Sequence, residues 1–108
     1  MAETFHMVNV DVTTSDPTVL TAGGSETLVV IGAQVANVHA TTACWLTATV
    51  YQSGGSTNAI LCKEVNIPVN DAFNPVIGKL VLETGDYIKM DAQANSSLEA
   101  TISYLKQT

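Results

Sequence analysis

An antiparallel β-sandwich or jelly roll of about seven or eight strands is the fold class that this sequence predicts, on three observations. Apolar residues recur at period two in runs rich in Val, Thr and Ile, the alternation expected of half-buried strands. Clusters of Gly, Pro, Asn, Asp and Ser interrupt those runs, at the spacing of roughly 8 to 12 residues that short strands joined by turns require. The 108 residues, 46% of them apolar, suffice for one core and not for two. Residues 1–108 are therefore expected to form a single domain, with residues 1–6 as a flexible N-terminal arm.

Each element has its own signal. Val8, Val10 and Val12 alternate with Asn9 and Asp11, predicting a first strand over residues 5–12. Asp16-Pro17 starts a turn, and Val19-Leu20 forms a short strand before Ala22-Gly23-Gly24-Ser25. The next strand covers residues 27–38, with Val29, Ile31, Ala33 and Val35 on one face and a change of phase near Asn37-Val38, the mark of a bulge or a strand end. Cys44, Leu46, Ala48 and Val50 then alternate with Trp45, Thr47, Thr49 and Tyr51.

Residues 53–58 read as a hairpin loop, and the return strand over residues 59–69 holds Leu61, Val65, Ile67 and Val69 in one phase. Pro68 cannot donate to a ladder, which puts this end at an edge or outside the sheet. A loop over residues 70–75 leads to a strand over residues 76–82 and a tight turn at Glu83-Thr84-Gly85-Asp86. Residues 87–94 set Ile88, Met90, Ala92 and Ala94 inward. The last strand, residues 98–105, places Leu98, Ala100, Ile102 and Tyr104 together, although Leu98, Ile102 and Leu105 also fit a C-terminal helix.

Charge narrows the function classes. The chain carries 10 acidic residues and 4 basic ones, all lysine, for a net charge of −6. At 13% the charged fraction is far below the usual ~25%. A phosphate footprint needs clustered Lys or Arg, so nucleic acid is not an expected partner, and neither is an anionic membrane surface. No Asp, Glu, Lys or Arg stands between Glu26 and Lys63, yet polar residues break every apolar run in that segment, well short of the ~20 residues of a membrane span. The N-terminus has no basic n-region and no apolar h-region, so a cytoplasmically made protein with reduced cysteines is expected.

Chemistry-bearing patterns are sparse, and no catalytic, cofactor-binding or metal-binding residues are assigned. His6 and His39 have no Cys at ligand spacing, and no nucleophile elbow or phosphate-binding glycine loop occurs. His6 lies near a terminus expected to be mobile, and His39 reads as a solvated loop histidine. In a hairpin centred near Gly55, Cys44 and Cys62 are offset by about four positions, too far for a disulfide within that ladder; a different register or a pairing across sheets would be needed. Asn70, Asp71 and Asn74, and separately Glu83 and Asp86, offer oxygens for calcium, but turn chemistry accounts for them without it. Trp45, Thr47, Thr49 and Tyr51 share one neutral strand face. That face fits a contact with another subunit or packing against the protein itself, or a platform for sugar rings as in carbohydrate-binding modules.

The runs Ile67-Pro68-Val69, Gly78-Lys79-Leu80-Val81-Leu82-Glu83-Thr84-Gly85-Asp86-Tyr87-Ile88-Lys89-Met90 and Ser103-Tyr104-Leu105 resemble small virion structural proteins of tailed bacteriophages. The segment from Val30 to Val38 also fits their first core strand, so the resemblance spans residue 28 to the C-terminus. Lys106-Gln107 departs from it, where an acidic residue is common in those proteins. Within it, Gly85 and Asp86 are structural turn residues, a strand-turn-strand signature shared by many jelly rolls. The resemblance implies a multi-copy, non-enzymatic virion protein made in the host cytoplasm. The expected role is a capsid decoration or cement protein, a homo-oligomer (a trimer by expectation) that contacts the major capsid protein or other virion proteins. A neck, collar or tail-attached protein is the alternative in the same class. Interface cores are poor in charge and rich in aromatics, so the uncharged strands from Thr27 to Gln52 are the expected contact, with Trp45, Thr47, Thr49 and Tyr51 as the candidate interface residues.

Overall fold

The structure, a computed structural model, describes residues 2–52 and 55–108. Ser53 and Gly54 of the expected hairpin loop lie outside the described residues. Among the described residues nine strands form: β1 (Glu3–Val12), β2 (Thr18–Thr21), β3 (Thr27–Asn37), β4 (Cys44–Gln52), β5 (Thr57–Ile67), β6 (Ala72–Phe73), β7 (Leu80–Leu82), β8 (Tyr87–Ala92) and β9 (Leu98–Gln107).

They build two antiparallel sheets that pack face to face. The first runs β1-β9-β3 and continues with β6 and β7, which both pair with the far side of β3; the second runs β2-β8-β4-β5. Because β6 meets β3 at Val35 and Ala36 while β7 meets it at Leu28 to Val30, the two short strands fill one strand position. The chain is then four nested antiparallel pairs, β1 with β9, β2 with β8, β3 with β6/β7 and β4 with β5. A ribbon of nested pairs rolled into two sheets is a jelly roll, as the sequence predicts.

The core lies between the sheets. Leu28, Val30, Val35 and Ile102 come from one side and Leu46, Ala48, Ile88 and Met90 from the other, all at 1% exposure or less. Each large aliphatic side chain so buried contributes roughly 1.5–3 kcal/mol, which makes the period-two pattern decisive for the fold.

Several boundaries differ from expectation. In β3 the change of phase comes early, at a bulge between Val30 and Gly32. Leu28, Val30, Ala33 and Val35 therefore face inward, while Val29 and Ile31 do not, Ile31 being 44% exposed. The expected strand over residues 76–82 shrinks to β7, and β6 forms inside the expected loop. Val76 is nevertheless buried, held off the ladder by an Asx turn in which Asn74 Oδ1 accepts its N–H at 3.0 Å. Ala94 is exposed because β8 ends at Ala92.

The C-terminal segment is a strand, not a helix, since two neighbours, β1 and β3, pair with it along its length. Residues 3–6, expected in a flexible arm, pair in β1 with residues 104–107. Pro68 lies just beyond β5, the edge strand of its sheet.

The four sheet edges are finished differently. β5 carries register shifts, Lys63 and a positive φ at Glu64; β2 is four residues long with a shift of its own; β6 and β7 are two and three residues. In contrast, β1 runs ten residues without a shift, a Pro or a Lys.

Candidate functional site

On β4 the alternation read from the sequence holds. Cys44, Leu46 and Ala48 are buried, and Trp45, Thr47, Thr49 and Tyr51 are half-buried on the outer face. Across the ladder to β8, Thr47 stands opposite Asp91, Thr49 opposite Lys89, and Tyr51 opposite Tyr87. The Tyr51 and Tyr87 rings stack at 4.9 Å between centroids and 10° between planes, and Lys89 Nζ lies 5.7 Å from the Tyr51 centroid. On the other side Thr47 Oγ1 accepts the Glu64 N–H at 2.9 Å, which satisfies the backbone at the β5 bulge. Trp45 is anchored through its backbone, whose N–H donates to Gln93 Oε1 at 3.2 Å and whose carbonyl accepts from Gln93 N at 3.1 Å.

The structure thus brings the four predicted residues onto one face but does not leave that face uncharged. A gap in charge along the chain is not a gap in space: β8 inserts Lys89 and Asp91 between the neutral strands. Tyr51, expected as one half of a sugar platform, already stacks on Tyr87. Gly55 lies against the hydroxyl end of Tyr87, for a Cβ on it, at φ 100°, would come 2.7 Å from Tyr87 Oη.

The outer face of the other sheet is the more apolar one. Phe5, Leu105 and Val29 stand in one row across β1, β9 and β3, and Val81 of β7 completes it. Phe5 is 77% exposed and Val81 55%, and Met7 beside them is 63% exposed. Farther along the same face the rows turn neutral, with Asn9, Thr101 and Gln34, and then acidic, with Asp11 directly opposite Glu99. The neutral rows border a shallow groove of about 460 Å³ lined by Gly32, Gln34, Asn74, Thr101 and Ser103. The phase of Val8, Val10 and Val12 within the expected first strand implies that Phe5 and Met7 point outward.

Ionisable groups are spread out. Burial pushes the Asp91 carboxyl above the usual range, Asp16 adds to the rise and the Ala92 N–H opposes it; its Oδ1 is shut from solvent with no partner among the described residues. The Glu26 carboxyl is lowered, first by the Gly23 N–H at 2.8 Å and, against some burial, by Lys106 at 3.5 Å. Burial raises the Cys62 thiol, opposed by a backbone hydrogen bond at Ala48.

Cys44 and Cys62 are free thiols, standing opposite Ile67 and Ala48 on the ladder as the hairpin geometry predicts. His6 stacks on Tyr104 at 5.3 Å, and His39 Nδ1 accepts the Thr41 and Thr42 N–H groups at 3.1 Å each. Of the oxygens considered for calcium, Asp71 Oδ1 accepts from Ala72 N, Asn74 Oδ1 from Val76 N and Asp86 Oδ2 from Glu83 N. Among the described residues no group of three or more His, Cys, Asp or Glu is placed to hold a metal ion.

What the geometry offers is therefore surface: an aromatic and threonine face on one sheet, and an apolar row grading to acid on the other. No family model matches the chain, and no curated protein matches it.

Proposed function

We propose that this chain is a non-enzymatic structural protein of a tailed-phage virion, acting as a capsid decoration or cement protein. The observation that carries this reading is the apolar row Phe5, Leu105, Val29 and Val81 on the outer face of the five-stranded sheet, beside Met7. Large contiguous exposed apolar patches mark interaction sites, and a jelly roll presents such a patch on a rigid sheet. The phage-like strand-turn-strand around Gly85 and Asp86 and the charge-poor strands of both sheets support the same reading.

The mechanism is burial of neutral and apolar sheet surface against the shell and between copies, adding contacts that resist internal pressure. Asp11, Glu99 and the other acidic groups at the rim keep the free protein soluble and orient it on its partner. The major capsid protein is the partner this reading names, and the virion its location. The sugar-platform reading has less support, because Tyr51 is already stacked on Tyr87.

Co-sedimentation of the purified protein with particles of the phage that encodes it tests the proposal. Saturable binding, lost on Phe5→Ser or Val81→Ser while the circular dichroism spectrum is kept, is the expected result. Particles that bind none of it would overturn the proposal. Symmetry in a particle reconstruction separates the shell from a neck, collar or tail position.

A further inference from the structure

We infer that β1 pairs with β1 of a second copy, antiparallel about a two-fold axis, so that two five-stranded sheets join into one. This rests on the geometry of β1 and stands whether or not the virion reading does. A sheet edge is a template for another strand, and proteins blunt it with short strands, bulges, Lys or Pro. Three edges of this molecule are blunted in those ways. β1 is not: all ten of its residues pair regularly with β9, and its charges are confined to Glu3 and Asp11 near its ends.

The occupant follows from parity and charge. Phe5, Met7, Asn9 and Asp11 face outward, and His6, Val8, Val10 and Val12 point toward the core side. A two-fold axis normal to the sheet keeps outward residues outward, so only registers that pair odd with odd are allowed. With Met7 on the axis, Glu3 of each copy meets Asp11 of the other, and like charges directly opposite repel. Val8 on the axis sets Phe5 against Asp11, and Phe5 on the axis sets Met7 against Glu3.

With His6 on the axis, Phe5 meets Met7 in both directions, Glu3 meets Asn9, and Asp11 lies beyond the last paired residue. That register pairs residues 2–10, a seam of about 30 Å. It also joins the two apolar rows into one band that crosses both sheets. The pairing closes with two copies, so the assembly it predicts is a dimer, or a multiple of one, in place of the trimer expected from the sequence.

The test is oxidative cross-linking of single-cysteine variants of the full chain in a Cys62→Ser background, with Cys44 buried out of reach, alongside sedimentation equilibrium. His6→Cys is expected to give a disulfide-linked dimer, with Met7→Cys and Val8→Cys remaining uncross-linked. Met7→Lys sits on an exposed position and should leave the fold intact while raising the dimer dissociation constant at least about tenfold, the effect of losing one buried anchor. Cross-linking at position 7 or 8 instead would overturn the register. A wild-type chain that sediments as a monomer at about 1 mM, or as a trimer, would overturn the pairing itself.

Discussion

The side-chain amide of Asn37 on β3 donates to the carbonyl oxygen of Ile67 at the end of β5, 2.9 Å away, and so ties one sheet to the other. The same amide donates to Thr42 O at 3.1 Å, its Oδ1 accepts the His39 N–H at 2.9 Å, and its backbone N–H donates to Asp71 O at 2.9 Å. Asn37 is 3% exposed, so water cannot readily replace these partners. Asn37→Ala leaves two carbonyls and an N–H unpaired and should cost about 3 kcal/mol. Asn37→Asp should cost more, since an ionised carboxylate cannot donate to either carbonyl. Urea unfolding followed by Trp45 fluorescence checks both, with a lower midpoint and an unchanged slope.

The turn between β7 and β8 depends on one glycine. Gly85 has φ 91°, and the Asp86 N–H closes the turn on Glu83 O at 2.9 Å while Asp86 Oδ2 accepts the Glu83 N–H at 3.0 Å. The turn is docked on the end of β2, where Gly85 N donates to Ala22 O and Ala22 N to Asp86 O, both at 3.0 Å. A Cβ at position 85 meets the left-handed penalty, so Gly85→Ala should lower stability by about 1–2 kcal/mol. Gly85→Asn, which tolerates that conformation better, should lose less, and thermal unfolding ranks the two.

How much of this was legible follows from the kind of signal each part left. Strands with clean alternation, such as β4 and β9, were readable because burial on one face writes period two into the chain. The phase of β3 was not: Leu28-Val29-Val30-Ile31 is apolar on both faces, and the bulge at Val30/Gly32 leaves no mark in such a run. β6 and β7 were misread because Val76 is buried without belonging to the ladder. The candidate face on β4 was found by residue, but its composition was misjudged, since the partners that fill it, Lys89 and Asp91, arrive from a strand some forty residues away. Which strands become neighbours is a topological fact that local pattern does not carry.

Asp91 makes stability depend on pH in a defined sense. Its carboxyl sits above the usual range in the folded state because of burial and of Asp16, so the folded chain holds that proton more tightly than the unfolded one. The ionised form therefore costs stability above the folded value, and the cost disappears below the unfolded value. Asp91→Asn should stabilise the protein at neutral pH, with the gain fading as pH falls through the carboxylate range. Asp16→Asn should recover part of that gain by removing the neighbouring charge. Urea midpoints measured from pH 3 to pH 8 check this, and a gain that grows toward acid would contradict it.

Trp45 and Leu46 are adjacent in sequence and point to opposite sides of β4, which lets one pair of substitutions separate folding from recognition. Leu46 is fully buried against the facing sheet, so Leu46→Ala opens a cavity and should cost about 2–5 kcal/mol. Trp45 is half-buried on the outer face and is anchored to Gln93 through its backbone, so Trp45→Ala keeps its hydrogen bonds and should cost no more than about 1–2 kcal/mol. If the outer face of β4 contributes to the proposed contact with the shell, Trp45→Ala should weaken particle binding by at least about tenfold, as loss of an aromatic anchor does, at a protein concentration and temperature where it remains folded. Leu46→Ala should bind normally in the fraction that is folded. Binding that tracks stability in both variants would assign recognition to the other sheet, where Phe5 and Val81 are exposed.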